Sequence, residues 1–97
     1  MAYNHVNVTV GTTPTAIATV PAGNPYTAIV IQNNHSAALF VGDNTVTATT
    51  TGATSGLSVA AAGNLTVWLH GNSTIYGIVA TSATATGVVK AIYSTVV

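Results

Sequence analysis

The stretch 26–42, YTAIVIQNNHSAALFVG, constrains the fold more than any other part of the chain. It holds two dense apolar runs, 27–32 and 37–42, separated by Asn33, Asn34, His35 and Ser36. Each run has the length of a strand and is rich in β-branched and aromatic residues, and the four residues between them are turn formers, so the stretch predicts a central β-hairpin. Neither run simply alternates polar with apolar. Ile29 and Ile31 share one face while Ala28 and Val30 share the other, and Leu39 and Val41 oppose Ala38 and Phe40. Both faces therefore favour leaving water, yet a chain of 97 residues supports one modest core within a single domain, 1–97. One face is expected to build that core and the other to meet a neighbour.

The rest of the chain reads as further short strands. Residues 5–10 alternate, with Val6, Val8 and Val10 on one face, and are stopped by Gly11-Thr12-Thr13-Pro14. Residues 15–20 form a second strand, closed by the proline-bearing loop 21–25. After a turn at Asp43-Asn44, residues 45–48 are expected as a brief edge strand. The stretch 48–56, ATTTGATSG, lacks any large apolar residue and reads as a mobile surface loop with no folding role. Residues 57–59 make a short strand. In 64–70, Leu65, Val67 and Leu69 point inward and Thr66, Trp68 and His70 outward. Gly71-Asn72 is a two-residue hairpin signal leading into 73–80, where Tyr76 and Ile78 oppose Ile75 and Val79. A Ser/Thr/Ala linker, 81–87, precedes the last strand, 88–97, in which Val88, Lys90 and Ile92 face outward and Val89, Ala91 and Tyr93 inward. No 3.6-residue period persists, and the pattern is that of an all-β chain: an antiparallel β-sandwich of seven or eight short strands, of jelly-roll or Greek-key type.

Charge narrows the function. The chain carries one acidic residue, Asp43, and one basic residue, Lys90, or 2% charged residues where about one quarter is usual. A single lysine cannot replace phosphate counterions, which argues against nucleic acid, and it equally cannot anchor a membrane-surface helix. No run approaches the roughly 20 apolar residues of a spanning helix, and MAYNHVNVTV does not read as a signal peptide. Four Asn-x-Ser/Thr sequons, at Asn7, Asn34, Asn64 and Asn72, are what chance supplies in a chain so rich in Asn and Thr. With net charge near zero nothing repels a second copy, and such a chain suits an assembly.

Catalytic chemistry finds few supports. Acid–base work on a glycoside needs two positioned carboxylates, and only Asp43 exists. A Ser-His-Asp set built from His35 or His70 with Asp43 lacks a Gly-x-Ser-x-Gly elbow. The chain has no cysteine, and His5, His35 and His70 lack the spacing that builds a metal site on one element, so no cofactor is expected. In a trimer, one histidine from each copy meeting on the three-fold axis is the remaining metal geometry. Trp68 has three readings: burial through a one-residue slip of register, an aromatic anchor at a contact surface, or, beside Tyr76, a platform for stacking on a sugar ring.

The segments IVIQN (29–33), ALFVGDNTVT (38–47), GLSVAAAGNLTVWL (56–69) and STIYGIVA (73–80) carry a further signal. An apolar strand ending in Gln-Asn, a strand ending in Gly, a Gly-Leu-x-Val segment before a turn and a Tyr-x-Ile strand follow in that order. In this the chain resembles the small β-sandwich virion proteins of tailed bacteriophages, especially head decoration or cement proteins. The resemblance implies a non-enzymatic structural role on the outer capsid surface, as a homo-oligomer, in particular a trimer, bound to the major capsid protein. The contact residues expected under it are Trp68, His70, Val88, Ile92, Phe40 and Val30. The alternative is a carbohydrate- or receptor-binding module of a tail fibre or tail tip, with Trp68 and Tyr76 stacking on the glycan.

Overall fold

The computed structural model of the chain describes residues 2–34, 37–49, 52–80 and 88–96. These form eight strands and no helix: β1 (Ala2–Thr9), β2 (Thr15–Val20), β3 (Thr27–Asn33), β4 (Leu39–Gly42), β5 (Leu57–Val59), β6 (Asn64–Leu69), β7 (Ser73–Ile78) and β8 (Val88–Thr95). They make two four-stranded sheets, ordered β1-β8-β3-β6 and β2-β7-β4-β5, and every pairing is antiparallel. The linker 81–87 and His35 lie outside the described residues.

Period-two alternation sorts each strand into an inner and an outer face. Ile29, Ile31, Val89 and Ala91 from one sheet meet Ile17, Val20, Leu39, Val41, Val59 and Ile75 from the other in one cluster, giving a β-sandwich-like pair of layers. Half-buried Val6, Val8, Leu65, Val67, Leu69 and Tyr93 pack against its margin. The Tyr93 hydroxyl also reaches across the layers and donates to the Thr19 carbonyl at 2.9 Å.

The expected central hairpin does not form. β3 and β4 lie in different sheets, so the polar connection between them crosses the core edge instead of reversing within one sheet. The physical reason is that Ile29 and Ile31 need an opposing wall, and Leu39 and Val41 provide it. Asn33, fully buried, secures the crossing. Its Nδ2 donates to the carbonyls of Ala37 (2.9 Å), Val59 (3.0 Å) and Ala60 (3.3 Å). Its own N–H donates to Gly63 O and its carbonyl accepts from Ala62 N–H. One side chain thus ties the end of β3 to the approach to β4 and to the β5–β6 connection.

Gly71-Asn72 is likewise a tight turn but not a hairpin, because β6 and β7 belong to different sheets. Asn72 takes a positive φ of 66° and its N–H donates to Val20 O at 2.7 Å. A Cβ on Gly71 would lie 2.6 Å from the Asn24 carbonyl oxygen, so only glycine fits against the 21–25 loop. The chemistry that permits a two-residue hairpin also permits a two-residue crossing.

The expected edge strand at 45–48 reduces to an isolated parallel bridge between Thr47 and Ser55. The loop around it has a folding role after all. Val46, 2% exposed, lies over Phe40 and Ile78 on the outer face of the β2-β7-β4-β5 sheet, with Ala48 and Tyr76 at the margin of this second cluster. Hydroxyl contacts between Thr47 and Thr54 (3.1 Å) and between Thr49 and Ser55 (2.9 Å) hold the loop together.

Candidate functional site

The two outer faces of the molecule differ. On the β2-β7-β4-β5 sheet the outward apolar residues are roofed by the chain's own loop, and Phe40 is only 8% exposed. Phe40 therefore leaves the set of contact residues: its outward side chain meets Val46, not a neighbour. Tyr76 belongs to the same roofed cluster. It is on the sheet opposite Trp68, which corrects the expected Trp68–Tyr76 platform.

On the β1-β8-β3-β6 sheet no described segment covers the outer face. Six of the seven exposed large hydrophobic residues among the described ones fall here: Tyr3, Tyr26, Val30, Trp68, Ile92 and Val96. Leu57 on β5 is the seventh. Trp68 is 55% exposed, Val30 41% and Ile92 39%. The outward direction expected for Trp68 and His70 is the one observed, and Val88 sits half-buried beside exposed Lys90 and Ile92.

Register arranges this face in rows. His5 pairs with Ile92, Ile92 with Val30 and Val30 with Thr66. Asn7, Lys90, Gln32 and Asn64 form the next row. Apart from Thr66, these two rows line a shallow depression of about 450 Å³. Toward the opposite end the face becomes aromatic. β3 and β6 pair with Thr27 against Leu69 and Ala28 against Trp68, which carries Tyr26 to His70. The Tyr26 ring stacks on His70 with centroids 4.4 Å apart and planes 30° apart, and it meets Trp68 at 5.6 Å, tilted by 32°. The face thus grades from amides and one cation, through aliphatic residues, to three rings.

Sequence reasoning missed Tyr26, which sits just before its strand. The signal exists only in the pairing of β3 with β6, more than forty positions apart at the ring contact. The histidines do not gather: His5 is on β1 and His70 follows β6, at the two edges of one sheet, and among the described residues no three His, Cys, Asp or Glu side chains come together. Asp43 lies on the other side of the molecule. The Thr45 hydroxyl and the Thr45 N–H donate to its Oδ1 at 2.7 and 2.9 Å, and these bonds hold its carboxyl below the usual range.

Among the described residues, then, one outer face of these two sheets is roofed by the chain's own loop and the other exposes apolar side chains. Compared with known proteins, the chain matches no family model, no curated protein and no solved structure.

Proposed function

We propose that this chain is a non-enzymatic structural virion protein that decorates and stabilises a phage capsid, binding the major capsid protein as a trimer on the outer capsid surface. The observation that carries the reading is the bare face of the β1-β8-β3-β6 sheet. Three aromatics and three aliphatic residues expose on the order of 600 Å² there, against about 800 Å² per partner in a stable protein interface and about 300–600 Å² for the largest apolar patch of an ordinary monomer. The near absence of charge agrees, since interface cores are depleted of charged residues. The sequence resemblance to decoration proteins supplies the partner.

We read the fold as a jelly roll. The pairings β1–β8, β2–β7, β3–β6 and β4–β5 are those of one long antiparallel ribbon folded between β4 and β5 and wound into two layers, which supports that topology. The test of function is co-sedimentation with assembled capsids. Trp68→Ala and Val30→Lys change exposed residues, so they should keep the fold and lose capsid binding. Full binding by both variants would refute the assignment of this face.

The stacked rings favour a second reading, a glycan- or receptor-binding module of a tail fibre or tail tip. Here Trp68 with Tyr26, in place of Tyr76, would meet the sugar. A glycan array separates the two: under this reading Trp68→Ala and Tyr26→Ala abolish glycan binding, and Tyr76→Phe has no effect.

A further inference from the structure

The two sheets treat their edges differently. In the β2-β7-β4-β5 sheet, β5 is three residues long, and the β2 ladder slips between Ala16 and Ala18 and is flanked by Pro14 and Pro21. Short edges, bulges and prolines are the devices that keep one sheet from adding to another. The β1-β8-β3-β6 sheet has none of them. β1 pairs with β8 without a slip from Ala2 to Thr9, and β6 pairs with β3 without a slip from Asn64 to Leu69. Neither edge strand contains a proline, lysine, arginine, aspartate or glutamate. Among the described residues, no backbone hydrogen bond from outside the sheet reaches either one.

The outward side chains along these two edges follow the same chemical order. His5 and Thr66 stand at the two ends of one row, and Asn7 and Asn64 at the two ends of the next. Two residues further along each edge strand, at the aromatic end, come Tyr3 and Trp68, both exposed. The sheet has four strands of alternating direction. A second copy in the same orientation therefore sets its β1 antiparallel to β6 of the first. At level register Trp68 meets Tyr3 of the next copy, Thr66 meets His5, and Asn64 meets Asn7. A two-fold pairing of β1 with β1 centred on His5 would set Tyr3 against Asn7, and β6 with β6 centred on Thr66 would set Trp68 against Asn64. At the registers compared, rings meet rings and amides meet amides in the head-to-tail arrangement alone, with β6 paired along its whole length, and cross-strand pairs of this kind are the unit of sheet stabilisation.

We propose that copies of this chain join head to tail, β6 of one pairing with β1 of the next, in a seam that carries the bare face continuously from copy to copy. A heterologous seam closes into a ring when its rotation closes, and the trimer of the functional reading is such a ring. The seam specifies the self-association within that reading and is tested apart from capsid binding.

His5 and Thr66 are exposed and lie on opposite edges of one copy, so they touch only across the seam. His5→Glu with Thr66→Glu puts like charges together at every seam, and His5→Lys with Thr66→Glu puts opposite charges there. Sedimentation equilibrium should show the wild type and the Lys/Glu variant as the same oligomer and the Glu/Glu variant as a monomer. Amide exchange in the wild-type oligomer should protect successive residues of β1 and β6, where a free edge protects only every second one. A monomeric wild type, two double variants that behave alike, or alternating protection along β1 in the oligomer would each overturn the seam. An intact oligomer that binds no capsid refutes the capsid reading and leaves the seam standing; a monomer that binds capsid does the reverse.

Discussion

Asn33 offers the sharpest test of how this fold is held together. Its side chain is fully buried, and one Nδ2 serves the carbonyls of Ala37, Val59 and Ala60. Two of those contacts are full hydrogen bonds and the third, at 3.3 Å, shares a proton. Asn33→Ala removes these contacts, at about 1 kcal/mol net for each hydrogen bond, so the expected loss is about 3 kcal/mol. That is a large part of the roughly 5–15 kcal/mol that stabilises a domain of this size. It corresponds to a fall in Tm of about 15–25 °C.

Asn33→Asp keeps the shape and replaces the donor with a carboxyl that faces carbonyl oxygens. Burial and those oxygens raise its folded pKa above the unfolded value of about 3.9. Between the two values the folded state binds the extra proton, so the stability of this variant relative to wild type is greatest below the unfolded pKa. It falls as pH rises and levels off above the folded pKa. Urea melts of wild type and both variants at about pH 3 and about pH 7 provide the measurement, read as midpoint shifts at constant m. A loss below about 1 kcal/mol for Asn33→Ala, or an Asn33→Asp deficit equal at both pH values, would show that Asn33 does not hold the crossing.

Three further outcomes follow from the same structure. Phe40→Ala should cost about 3–5 kcal/mol by calorimetry, as for a core aromatic, because Val46 and Ile78 close over it; a near-neutral effect would return Phe40 to the contact surface. Gly71→Ala drives a Cβ to 2.6 Å from the Asn24 backbone oxygen and should lower stability by about 1–3 kcal/mol, seen as a reduced Tm. Asp43 has a depressed folded pKa, so its contribution is present above its unfolded value of 3.8 and is lost as pH falls through the folded pKa; Asp43→Asn should remove that part of the acid limb in a stability–pH profile.

The strands were legible because side-chain direction in a strand is a local property. Residues 15–20 and 57–59 are read with the bounds that β2 and β5 have. Alternation alone turns Trp68 outward and Val89 and Ala91 inward. Strand partners were not legible. Asn33 to Ser36 and Gly71-Asn72 specify that the chain reverses, and a reversal serves a hairpin or a crossing equally well. What chose the crossing was tertiary contact: Ile29 and Ile31 pack against Leu39 and Val41 of the facing sheet, and the Asn33 amide on the Val59 and Ala60 carbonyls secures it. The Tyr26–His70 stack was hidden for the same reason.

Phe40 and Val30 mark the division most clearly. By itself the sequence determined that both sit on strands with two apolar faces, and that a chain with one acid and one base must cover such faces with something other than charge. Only the tertiary structure decided what covers each. The segment 45–48, expected as an edge strand, lays Val46 over Phe40, and no described segment covers the outward side of Val30. Strand periodicity is set by neighbours in the chain, whereas the covering of an outer face depends on how the chain beyond the strand folds back over it. That the described residues leave this face uncovered is therefore a property of the fold and not of any one strand.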